Sequence, residues 1–73
     1  MLKYDIDKAI TNFKDVVTNY PHFDFANFYL GEAYLKKGNR EAAIEYYENT
    51  IKITPDHQDA KARLEDLARG LAA

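Results

Sequence analysis

Ala9, Ile10, Phe13 and Pro21 return as Ala43, Ile44, Tyr47 and Pro55, an offset of 34 residues at every position. This offset restricts the fold more than any other feature of the chain. A repeat of that length is one supersecondary unit that cannot bury its apolar face alone and must stack on its neighbours. The spacing inside each copy is helical. From Asp5 onward, Ile6, Ala9, Ile10, Phe13, Val16, Val17 and Tyr20 follow the three-and-four rhythm of one helix face. Asp5 is placed to cap that helix, since its carboxylate can accept from backbone N–H groups that lack an intrahelical partner. Tyr20-Pro21 ends it, because the residue before a proline is pushed out of helical geometry.

A second helix is expected over 24–37, and it carries two apolar stripes. Ala26, Leu30, Ala33 and Tyr34 form one, and Phe25, Phe28, Tyr29, Glu32, Leu35 and Lys36 form the other. A helix apolar over most of its circumference is packed on several sides or binds something. Gly31 sits in its middle, where glycine costs about 1 kcal/mol relative to alanine, and close approach of a neighbouring helix would account for it. Gly38 suits a left-handed helix end, and Asn39 suits the cap of the next helix. The third helix is expected over 40–54, with Ala43, Ile44, Tyr47, Thr50 and Ile51 facing inward. After Pro55 a fourth shows Ala60, Leu64, Leu67, Ala68 and Leu71 on one face and Lys61, Arg63, Glu65, Asp66 and Arg69 on the other.

Between the two copies stands Asn27-Phe28-Tyr29-Leu30-Gly31-Glu32-Ala33-Tyr34. With Leu30, Gly31, Tyr34, Ala43, Tyr47 and Pro55 at its characteristic spacing, the chain resembles the tetratricopeptide repeat family. Two positions depart from that pattern: Asn27 stands where a large aromatic is usual, and Thr50 where alanine is usual. The resemblance implies an all-α fold of four helices, antiparallel helix-turn-helix repeats stacked as a short right-handed superhelix. It divides the chain into the second helix of a partial repeat (1–23), one complete repeat (24–57) and a C-terminal capping helix (58–73). By that register Glu65 falls where Gly31 does, and Ala68 where Tyr34 does. A charge at a close-contact position is the mark of a terminal helix. At the other end, the helix that would pair with Ile6 to Val17 is missing. The expectation is a piece of a longer protein, or a face covered by another copy.

The inventory for chemistry is sparse. The 73 residues contain no Cys, which removes a disulfide framework, a thiolate zinc site and a thiol nucleophile. Ser is absent too, and Thr11, Thr18, Thr50 and Thr54 have no His and acid partners in an evident constellation. His22 and His57 are 35 positions apart, without the close spacing of zinc ligands, and read as exposed turn histidines. Asp5/Asp7, Glu41/Glu45 and Glu65/Asp66 read as solvated helix faces. Gly31, Gly38 and Gly70 are scattered and make no phosphate loop. No catalytic residue, metal site or cofactor is expected. Twelve acidic and ten basic residues are interleaved, for a net charge of −2, which gives no footprint for nucleic acid. The apolar runs are too short to span a membrane, and a cytoplasmic setting is the expectation.

Six Tyr and four Phe exceed what a core of this size requires. In the family that the chain resembles, first helices line a concave groove that holds a partner peptide. The resemblance therefore places Phe25, Phe28, Tyr29, Glu32, Leu35 and Lys36 on or near a partner-binding surface. The other reading is that Phe25, Phe28 and Tyr29 cover the place where the missing helix would pack. Phe28 and Glu32 stand where a carboxylate-gripping groove of this family would carry Lys and Asn, which leaves Arg63 and Arg69 for that task and favours a more apolar ligand. The resemblance implies a non-catalytic protein–protein interaction module. A self-association (homodimer) module, or an accessory segment of a larger enzyme, is the alternative.

Overall fold

The computed structural model describes residues 5–70. Leu71, expected on the apolar face of the last helix, lies outside them. Four helices follow one another: α1 (Ile6–Asn19), α2 (Asp24–Lys37), α3 (Arg40–Ile53) and α4 (Gln58–Arg69). Each packs on the next along the chain. No strand occurs among the described residues, and the fold is the all-α repeat that the 34-residue offset requires.

The helix ends are decided locally. Asp5 Oδ1 accepts from Lys8 N–H at 3.0 Å and starts α1. Asn39 Oδ1 does the same for Ala42 N–H at 3.1 Å and starts α3. Gly38 stops α2 with φ 94°, left-handed backbone that a side chain would strain. Two turns, one after Tyr20 and one after Thr54, are copies of each other. Phe23 N–H donates to Tyr20 O at 3.1 Å, and His57 N–H donates to Thr54 O at 3.0 Å. The prolines at 21 and 55 sit one residue into these turns and hold the connections short.

Two cores flank α2. Ile10, Leu30 and Ala33 form one between α1 and α2, with Ile6, Phe13 and Val17 packed against it. Phe28, Ala43, Tyr47, Ala60 and Leu67 form the other among α2, α3 and α4. Helix α2 is apolar nearly all round because it lies between them. Gly31 faces the Tyr47 ring so closely that a Cβ there would stand 2.8 Å from Cε1 and 2.9 Å from Cδ1. Both positions that depart from the family pattern are buried and hydrogen-bonded. Asn27 Nδ2 donates to Phe23 O (3.0 Å) and Pro21 O (3.3 Å), tying the start of α2 to the preceding turn. Thr50 Oγ1 donates to Tyr46 O at 2.9 Å, so its hydroxyl is satisfied inside the helix ladder. A buried polar group without such partners would be costly.

Candidate functional site

Helix α2 presents its outward stripe at the end where the chain enters it. Phe25 and Tyr29 are four residues apart, hence neighbours on one face, and their rings stack at 6.5 Å. They remain 56 % and 47 % exposed. Phe13 of α1 extends the stack beyond Tyr29 at 6.0 Å, and Phe23 meets Phe25 edge-on at 6.4 Å. Phe13, Tyr29, Phe25 and Phe23 thus form a continuous aromatic strip across two helices and the turn between them. Tyr20 and Phe23, also exposed, flank Pro21 at its end.

The six residues expected on this surface divide. Phe25, Tyr29 and Lys36 are exposed, while Glu32 and Leu35 are half-buried. Phe28 is only 6 % exposed and belongs to the core, which corrects its placement on the open groove. Its ring lies 5.7 Å from Tyr47 and 5.1 Å from His57, because α4 folds over the face that the helical spacing alone left open. Leu35 likewise packs against this core.

Glu32 is a junction between three helices. Arg63 of α4 donates to it through Nε (2.7 Å) and Nη2 (3.3 Å), and the buried Tyr47 hydroxyl of α3 also donates to it. Burial pushes the Glu32 carboxyl up, but the Arg63 and Tyr47 hydrogen bonds and the Arg63 and Lys36 charges together hold it below the usual carboxylate range. The Tyr47 phenol moves the opposite way, raised first by burial and then by the Glu32 carboxylate. Glu32 keeps Arg63 well protonated. Arg63 therefore already serves an internal carboxylate, which weakens it as a clamp for a ligand's. Beside this junction, Lys36 stands exposed and supplies a positive edge.

Sequence reasoning missed His57. Its Nδ1 accepts from Ala60 N–H at 3.1 Å and caps α4, and its ring lies against Phe25 and Phe28. It is half-buried rather than an exposed turn residue; His22, by contrast, is exposed. The signal was present in the 34-residue register, which pairs His57 with Phe23, the residue just before α2. Phe13 was legible as a helix-face residue but not as part of the strip, since its partner Tyr29 comes from another helix. Arg40 was also missed: its Nη2 donates to Leu67 O at 2.9 Å and closes the end of α4.

No helix of the described residues is long and apolar enough to cross a membrane. The tetratricopeptide repeat family model matches residues 25–57. Over 47 residues, 64 % of the chain, the sequence is 36 % identical to the Homo sapiens protein named tetratricopeptide repeat protein 17. The Rattus norvegicus and Mus musculus proteins of that name match equally. The match spans 4 % of the length of these relatives. No solved structure matches the chain.

Proposed function

Because residues 25–57 match the tetratricopeptide repeat family, a kind of module that generally serves protein–protein interaction and is typically non-catalytic, we propose that the chain binds an apolar segment of a partner protein along the outward face of α2. Phe25 and Tyr29 supply the contact area, Lys36 the charged edge, and Glu32 and Leu35 the floor. Phe28 meets the Tyr29 ring edge-on from the core side at 5.4 Å. The observation that carries this reading is the pre-stacked aromatic strip, flanked by Phe13 on one side and by His57 on the other. Rigid rings lose little freedom on binding, so more of the contact energy reaches affinity.

Size limits that affinity. An aromatic side chain offers roughly 200 Å². The exposed fractions of Tyr20, Phe23, Phe25 and Tyr29, between 45 % and 66 %, then leave on the order of 400 Å² open, about half of one side of a standard interface. A lone repeat should bind a peptide at micromolar strength or weaker, with neighbouring repeats or a second subunit needed for more.

Selection of a displayed peptide library on the domain tests the reading. Enriched aromatic or aliphatic peptides that lose binding to Phe25→Ala, with the melting temperature of that variant unchanged, would support it. Enrichment indifferent to Phe25→Ala and Tyr29→Ala would overturn it.

A further inference from the structure

Position 27 is where the tetratricopeptide pattern carries a tryptophan, and this chain has an asparagine there. The exchange leaves both a space and a polar atom. Asn27 lines a cleft of about 360 Å³ between the end of α1, the turn that follows it and the end of α3, toward the small end of the range of about 300–1,000 Å³ for small-molecule sites. Val17, Pro21 and Ile53 supply its apolar lining, and His22, Asn49 and Lys52 its polar lining besides Asn27. An indole at position 27 is much larger than a carboxamide and would extend into this space. Asn27 is 1 % exposed. Its Nδ2 is committed to Phe23 O and Pro21 O, while its Oδ1 accepts from no donor among the described residues. No fully buried side-chain oxygen there lacks a partner, so Oδ1 keeps an opening, and the cleft is the opening that Asn27 lines. The charge of the lining is one-sided: it holds Lys52 and His22 and no carboxylate. The Lys52 ammonium is not spent elsewhere, since the ion pairs among the described residues are made by Lys37 and Arg63.

We propose that this cleft binds a free indole carrying a short carboxylate arm, seated where the ring of the missing tryptophan would lie. The indole N–H donates to Asn27 Oδ1, the ring displaces water from Val17, Pro21 and Ile53, and the carboxylate meets the Lys52 ammonium, with the Asn49 amide and the His22 imidazole as further donors. Each part of the ligand answers an observation: a space left by a smaller side chain, a buried acceptor without a donor, and cations with no acid among them. A plain phenyl ring would fill the space but cover Oδ1 without pairing it, and a buried acceptor left unpaired weakens binding by about tenfold or more. The cleft shares no residue with the strip of Phe13, Phe23, Phe25 and Tyr29, so the two sites stand or fall separately.

The probe is indole-3-acetate, titrated into the isotope-labelled full chain while amide shifts are followed. A ligand of so few atoms supports a Kd on the order of 0.1–1 mM. Saturable one-to-one shifts should centre on Val17, His22, Asn27 and Asn49 to Ile53. They should vanish in Asn27→Phe, whose own ring fills the cleft, and persist in Phe25→Ala. Lys52→Glu, a change at an exposed position, should weaken binding by about threefold or more. On the ligand side, 1-methylindole-3-acetate offers Oδ1 no donor and should bind about tenfold more weakly; this comparison leaves the protein untouched should Asn27→Phe fold poorly. Absence of saturable shifts at millimolar ligand, or equal binding by the methylated compound, would overturn the proposal. So would shifts that centre on Phe25 and Tyr29 and disappear in Phe25→Ala, which would give the ligand to the aromatic strip.

Discussion

Helices α1 and α3 share a pattern and differ in fate. Tyr47 is fully buried among Phe28, Gly31 and Ala43, with its hydroxyl on Glu32. Phe13, its equivalent, is half-buried and leans on the exposed ring of Tyr29. The same residue class at the same register thus becomes a core anchor in one place and the edge of a surface strip in the other. Burial is a property of the neighbours, and the repeat pattern fixes only which face seeks them.

Substitution at the paired positions should expose that difference most strongly. Tyr47→Ala removes a fully enclosed aromatic and should cost about 3–5 kcal/mol. Phe13→Ala should cost less than half as much, because part of its surface is already in water. Equal losses in urea unfolding would mean that the α1 face is as well packed as that of α3.

Gly31→Ala comes next. Alanine gains about 1 kcal/mol of helix propensity, but its Cβ would overlap the fully buried ring of Tyr47, and overpacking of that kind costs about 1–3 kcal/mol. A net loss of about 1 kcal/mol is expected, and any gain in stability would show that the Tyr47 ring can retreat.

The two turns give a smaller contrast. His57 caps α4 with its side chain, whereas Phe23 makes no side-chain cap for α2. His57→Ala should destabilise by about 1 kcal/mol, with partial recovery in His57→Asn, while Phe23→Ala should change the melting temperature little. A similar drop in both would place the His57 contribution in its aromatic contacts instead.

The smallest effect is in acid. The Glu32 carboxyl is lowered from its ordinary value of 4.5 by folding. Its contribution is therefore fully present above pH 4.5 and is lost as pH falls through the lower, folded value. Melting temperature should decline over that range in the native chain and decline less in Glu32→Gln. Superimposable acid limbs for the two proteins would remove Glu32 from the account.

Much of the fold was legible because helix limits are written within a few residues. Asp5, Gly38 and Asn39 act on backbone groups no more than five positions away, and all four helices begin within two residues of their expected starts. The candidate surface was less legible. Phe25, Phe28 and Tyr29 look alike in sequence, yet Phe28 is covered by His57, Ala60 and Leu67 from 29 to 39 positions away. Glu32 read as a groove charge, but its partners are 15 and 31 positions distant.

By itself the sequence determined the repeat period, the number and limits of the helices, and the apolar faces that must meet, since caps, prolines and side-chain spacing act over a turn or two of chain. Only the tertiary structure decided which apolar face found a cover. It made Phe28 core and left Phe25 exposed, turned Glu32 into a link between three helices, and left α1 half-dressed where α3 is closed. Burial and paired charge depend on what arrives from elsewhere in the chain, and no local rule carries that information.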